Sequence, residues 1–140
     1  MNAIERFTRF YQNVDERAIA ALDQIYSENV EFIDPVARHL GLGALEQYFR
    51  NLMENTQSCV CQIQCILSDD NKHMVTWEMN FTHPRLNSGR NVRVEGVTEL
   101  HVADDKIIYH RDYYDMGQMI YEQVPILKSV VNGLKKRLAQ

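Results

Sequence analysis

The sequence predicts an α+β fold, because the spacing of its apolar residues changes period twice along the chain. Up to about residue 53 they recur at helical spacing, from about 59 to 115 they alternate with polar residues, and after Pro125 helical spacing returns. Turn-forming clusters separate the alternating runs, which makes them a meander and not strands interleaved with helices. A chain of 140 residues fits one domain, 1–140, and can bury enough surface to need no disulfide or metal staple.

Each element has its own signal. Ile4, Phe7, Tyr11 and Val14 define a first helix, with Ala3 and Phe10 beside them. Asp15 is placed to cap a second, whose stripe runs Ala18, Ile19, Leu22, Ile25 and Tyr26. Asn29 to Pro35 reads as a short extended piece that Pro35 stops, followed by loop through His39. Gly41-Leu42-Gly43 opens a third helix carrying Leu45, Tyr48, Phe49, Leu52 and Met53 on one side. Four strands follow at about 59–67, 73–83, 91–102 and 106–115, with turn residues at 68–71 and 103–105 and a longer loop at 83–89.

Pro125 begins a last helix over 125–140, with Leu127, Val130, Val131, Leu134 and Leu138 on one stripe. From 126 to 140 there are Lys128, Lys135, Lys136 and Arg137 and no acids. Set against the chain's net charge of −4, this +4 leaves −8 on the rest. A basic amphipathic helix can cover the core, pack on a second subunit or lie on an anionic membrane surface, and all three remain open here.

Composition narrows the partners. The acidic net charge gives no electrostatic reason to expect nucleic acid. The opening Met1-Asn2-Ala3-Ile4-Glu5-Arg6 has no apolar signal-peptide core, so the cytoplasm is the expected compartment. Cys59, Cys61 and Cys65 are odd in number and carry no histidine among them, which argues against a disulfide framework or a metal site. On a strand they share one face with Ile63 and read as small packing residues.

Two segments carry a resemblance. Leu22 to Val36, leading into Gly41 and Ala44-Leu45-Glu46-Gln47-Tyr48-Phe49, looks like the stretch of ketosteroid isomerases in which an Asp-Pro-Val holds the general base. Asp105 to Asp115 is similar to the last strand of limonene epoxide hydrolase and SnoaL-like proteins, where the aspartate of an Arg-Asp-Tyr run faces the cavity. Over nearly residues 2–120 the chain thus resembles the nuclear-transport-factor-2-like superfamily. The resemblance implies a cone-shaped α+β barrel, three N-terminal helices on a curved, mostly antiparallel sheet, and a homodimer. It implies a cavity for a largely apolar small molecule, worked on without cofactor or metal by isomerase, cyclase or hydratase-type acid–base chemistry. A non-catalytic binding or interaction domain is the alternative, since one fold serves many functions.

The candidate catalytic residues are Asp34, His110 and Asp112. Asp34 ends a strand beside Phe32 and Val36, where partial desolvation would make it a better base; its other reading is an Asx turn before Pro35. A three-residue turn at Ala103-Asp104-Asp105 would pair Leu100 with Ile108, Thr98 with His110 and Gly96 with Asp112. One face is then apolar except for Thr98, His110 and Asp112, with Tyr114 alongside and Gly96 leaving space over Asp112. The other reading of His110 is a cross-strand hydrogen bond to Thr98 with no chemistry. Strand 73–83 can turn either face inward. Hydrophobicity favours Trp77 and Phe81, whereas the resemblance places Glu78 and Asn80 at the positions of the hydrolase arginine and aspartate.

No arginine stands at either of those positions. Phe10, with Tyr11 next to it, and Thr98 occupy the isomerase oxyanion positions, which need a tyrosine and a protonated acid. Neither parent reaction is therefore implied. The expected ligand-binding set is Tyr11, Phe32, Glu78, Asn80, Thr98 and Tyr114.

Overall fold

The computed structural model describes residues 1–140. The first helix, α1 (Ala3–Gln12), is capped by the Asn2 side chain on Glu5 N–H and buries Ala3, Phe7 and Phe10. Asp15 caps α2 (Glu16–Ala20) through Ala18 N–H as expected. The second helix is shorter than its stripe suggests. After a 3-10 turn at Leu22–Gln24 the chain becomes extended, and Tyr26 opens a strand, β1 (Tyr26–Ile33). The segment read as loop contains a further short strand, β2 (Arg38–Leu40), which turns back on β1. Gly41, at φ +88°, makes the sharp entry into α3 (Leu42–Asn55), which buries Leu45 and Phe49.

Four longer strands follow: β3 (Ser58–Asp69), β4 (Lys72–Thr82), β5 (Val92–Ala103) and β6 (Lys106–Tyr114). They join β1 and β2 in one six-stranded sheet of order β2-β1-β6-β5-β4-β3. Every neighbouring pair is antiparallel except β1 and β6, which run parallel and draw the two ends of the chain's sheet together. Helices α1 to α3 cover one face. Phe7, Phe10, Leu22, Leu45 and Phe49 meet Val30, Phe32, Val75, Leu100 and Ile107 in the main core. A smaller cluster of Trp77, Phe81, Val92 and Val94 lies farther along the sheet.

Two β-bulges decide which side chains face inward. In the β5–β6 hairpin the turn has two residues, not three: Asp104 and Asp105 both have positive φ, the geometry of a tight type I′ turn. Such a turn alone would reverse the faces. A bulge then leaves Ile108 unpaired between Val102↔Ile107 and His101↔Tyr109, and the original faces return. The pairing is therefore Leu100↔His110, Thr98↔Asp112 and Gly96↔Tyr114, one step of two residues from the expected register. A second bulge leaves Gln64 unpaired between Ile63↔Trp77 and Cys65↔Thr76. It keeps Cys59, Cys61 and Ile63 on the inner face and sends Cys65 to the outer one, so the three cysteines do not share a face.

The chain ends in two short turns and a long helix. Asp115 caps α4 (Met116–Met119) through Gly117 N–H, and α5 (Pro125–Leu138) begins at Pro125 as predicted. Helix α5 does not cover the core of its own chain. None of its residues is buried, and its stripe stands open, Leu134 at 54% and Leu138 at 86% exposure. Lys135 pairs with Glu122 at 2.5 Å and ties the helix to the segment just before it. No helix is long and apolar enough to cross a membrane.

Candidate functional site

A cavity of about 230 Å³ opens where the two apolar clusters fail to meet. Helices α1 and α3 supply Phe7, Tyr11, Tyr48 and Phe49 to one side. The sheet supplies Cys59, Cys61, Trp77, Met79, Thr98, Asp112 and Tyr114 to the other, and Met119 of α4 closes one end. Fourteen of the 19 lining residues are apolar, and Asp112 is the only charged one, so the site's polarity is concentrated at a single carboxylate.

That carboxylate is held by two arms of hydrogen bonds. On one arm the Trp77 Nε1–H donates to Thr98 Oγ1 at 2.8 Å, and the Thr98 hydroxyl donates to Asp112 Oδ1 at 2.6 Å. On the other, Tyr26 meets His110 Nδ1 at 2.9 Å and His110 Nε2 meets Asp112 Oδ1 at 2.7 Å. A carboxylate only accepts, so Nε2 carries the proton there. The other ring nitrogen, Nδ1, shares its hydrogen bond with the Tyr26 hydroxyl. Both arms thus donate toward one oxygen, Oδ1. Oδ2 accepts no protein hydrogen bond, and no buried side-chain oxygen lacks a partner, so Oδ2 remains accessible.

Electrostatics agree with this placement. Burial pushes the phenols of Tyr11, Tyr48 and Tyr114 up, and the Asp112 charge raises all three further. They stay protonated at any physiological pH. Burial, with Cys59 and Asp112 adding to it, pushes the Cys61 thiol up to about 12, so it is a neutral wall and not a nucleophile.

Five expected site residues do not line the cavity. Asp34 is 9% exposed but does not line the cavity; its Oδ1 accepts Val36 N–H and Ala37 N–H, each at 2.8 Å, which is the Asx turn before Pro35. Its charge still reaches Tyr48 and Tyr114 and raises both. Phe32 is fully buried in the main core, its ring 4.3 Å from that of His110. Glu78 and Asn80 point to the outer face, where they meet Arg93 and Asn91. Period-two alternation decides this: with Trp77, Met79 and Phe81 on the inner face, their neighbours must face out. His110 is 0% exposed and reaches the cavity only through Asp112. Gly96 leaves space for Trp77, not over Asp112: a Cβ there would lie 2.2 Å from the Trp77 ring.

The arrangement agrees with a family-level match. A model of the SnoaL-like domain fits residues 7–110, from the first helix into the strand that carries Asp112. The chain belongs to the SnoaL-like domain family. No functionally curated protein matches it at a significant level. Its fold is shared with solved SnoaL-like and related structures. One is a protein from Jannaschia sp. CCS1 named for the SnoaL-like polyketide cyclases, at TM-score 0.71 and 14% identity, covering 81% of this chain and 83% of that one. Another is TerC, co-crystallized with polyporic acid, at 0.71 and 15%, covering 84% and 94%. A third is a ketosteroid-isomerase-like protein from Catenulispora acidiphila DSM 44928 in complex with trimethylamine, at 0.73 and 11%, covering 86% and 90%. At these identities the likeness concerns the fold alone.

Sequence reasoning named Tyr11, Thr98, Asp112 and Tyr114 of this SnoaL-like cavity and missed Phe7, Tyr48, Phe49, Cys61, Met79 and Met119 as its walls. Their signal was present as helical and strand stripes, but a stripe does not say where packing stops short and leaves a void.

Proposed function

We propose that this SnoaL-like protein handles a largely apolar small molecule by cofactor-independent acid–base chemistry, with Asp112 as the proton acceptor. The observation that carries the reading is a lone carboxylate, one oxygen free, in an apolar cavity of about 230 Å³. A base in such surroundings needs no reorganisation of water to receive a proton. His110 and Thr98 position it, and the Tyr26–His110 arm can feed a proton back. The family reading of Asp34 as base has less support, because both its backbone partners hold it in a turn outside the cavity.

The test is deuterium exchange at the carbon beside the carbonyl of 2-tetralone, followed by NMR in D₂O. Wild-type protein should accelerate exchange above buffer, and Asp112→Asn should cut the acceleration by roughly 100-fold or more. Unchanged exchange in the Asn variant removes Asp112 as base.

A second reading, a dimeric interaction domain, is favoured by the open apolar stripe of α5 with its cations. In this reading the tail holds an anionic membrane and the outer sheet face, with Val60, Leu67, Met74 and Tyr113 exposed, meets a second copy. Full-length protein should then sediment with vesicles rich in phosphatidylglycerol, and protein lacking residues 126–140 should stay in solution. Full-length protein that never sediments ends the membrane part of this reading.

A further inference from the structure

The cavity's walls carry more information than its apolar character. Six aromatic rings surround it: Phe7, Tyr11, Tyr48 and Phe49 from the helices, Trp77 and Tyr114 from the sheet. They are held at angles and do not form one stack. Trp77 and Tyr114 stand 6.1 Å apart at 61°, Tyr11 and Phe49 6.0 Å apart at 71°, and Phe7 and Tyr11 4.7 Å apart at 50°. An aromatic face carries negative electrostatic potential, so rings gathered around one space at several angles can offer such faces to an occupant.

The charge inside that space is one-sided. No lysine, arginine or histidine lines the cavity, and the only carboxylic acid on its wall is Asp112. The two donors, the Thr98 hydroxyl and the His110 ring, converge on Oδ1, so they orient the carboxylate and leave its other oxygen free. Oδ2 remains accessible on a carboxylate that lines an aromatic-walled cavity, and no cationic side chain lines that cavity. The three phenols at the wall hold their protons, so they add ring faces and not further anions.

We infer that the ligand of this cavity is an organic cation, an apolar molecule carrying an ammonium or comparable positive group that sits against the aromatic faces with its charge opposite Asp112 Oδ2. Such a group gains both from the ring faces and from the carboxylate, and the low-dielectric walls strengthen each attraction. An anionic ligand meets the Asp112 carboxylate with no cationic side chain on the wall to offset it, and a neutral one leaves Oδ2 without a charged partner. The inference rests on the reading of this cavity as the ligand site and names the class of molecule it takes. The two are chemically consistent, because a positive charge beside a carbon acidifies its C–H and helps a weak carboxylate base to remove it.

The experiment compares three molecules of nearly one shape: choline, 3,3-dimethylbutan-1-ol, in which carbon replaces the nitrogen, and 3,3-dimethylbutanoate. Trp77 is the only tryptophan of the chain and lines the cavity, so its fluorescence reports occupancy, with calorimetry as the second readout. Choline is expected to bind full-length protein about tenfold or more tightly than the alcohol, and the butanoate weakest of all. Asp112→Asn should bring choline and alcohol to within about threefold of each other, and Tyr114→Leu should weaken choline more than the alcohol. If wild-type protein binds the alcohol as tightly as choline, the ligand is not a cation, while the small-molecule reading stands. If none of the three perturbs Trp77 or gives heat, both readings fall. The wild-type comparison needs no variant, so a poorly folding substitution does not blunt the test.

Discussion

Replacing His110 by leucine should cost about 3–5 kcal/mol of folding stability, read from urea unfolding followed by far-UV circular dichroism. Leucine keeps the apolar contacts to Phe7 and Phe32 that the ring now makes. What it removes is a double hydrogen bond in a wholly buried place. The Tyr26 hydroxyl loses its His110 partner, and Asp112 Oδ1 loses one of its two donors. Each orphaned buried group costs about 1–3 kcal/mol, more where it is charged, and the total is a large share of the ~5–15 kcal/mol that holds a domain together. The pair Tyr26→Phe with His110→Leu separates this cause from simple loss of packing. Removing both partners leaves one orphan fewer, so the double variant should be at least ~1 kcal/mol more stable than the sum of the single losses predicts. Strict additivity would show that the Tyr26–His110 bond contributes nothing.

Gly96→Ala should be nearly as damaging, at about 3 kcal/mol, for a steric reason. The added Cβ would sit 2.2 Å and 2.3 Å from two atoms of the Trp77 ring. The ring cannot simply swing aside, because its N–H is bonded to Thr98 and its body is packed in the second cluster. Moving it breaks the arm that ends at Asp112, so loss of stability should be accompanied by a shift of Trp77 emission and a weakened site. Adding Trp77→Phe to Gly96→Ala provides the check: the smaller ring relieves the overlap, and stability should recover by about 1 kcal/mol or more relative to Gly96→Ala. No recovery would place the damage elsewhere.

How much of this was legible depends on the length scale at which each feature is determined. The stripes of α1 and α3, the Asp15 cap and the start of α5 at Pro125 are local, and all stand where the residues indicate. The inner placement of Thr98, His110 and Asp112 was also readable, through alternation on β5 and β6, although the route was different. A shorter turn and a bulge at Ile108 each shift the faces, and together they cancel. Bulges depend on what the neighbouring strand and the core demand, so neither this one nor that at Gln64, which moved Cys65 outward, is written in local residue types. Tyr26 shows the same limit. Its helical spacing is real, but pairing with β6 outweighs local propensity.

Asp34 and the pair Glu78 and Asn80 were misplaced for another reason. Likeness to a family transfers a position along a strand more safely than it transfers a side chain's direction. Here the turn chemistry of Asp34-Pro35 and the bulk of Trp77 and Phe81 decide the directions. The sequence also describes α5 as amphipathic but holds no information on what meets its stripe, since that depends on a surface outside the chain.

The convergence of two donors on one oxygen of Asp112 has a stereochemical corollary. A carboxylate free to spin about its Cβ–Cγ bond offers equivalent oxygens in many directions and distinguishes poorly between the two faces of a prochiral carbon. With Oδ1 fixed from opposite arms, that rotation is blocked and Oδ2 presents its lone pairs along one bearing only. A molecule lodged against the ring walls can then show it only one of two mirror-related hydrogens, so handedness in any product would originate in Thr98 and His110, neither of which needs to touch the carbon that reacts.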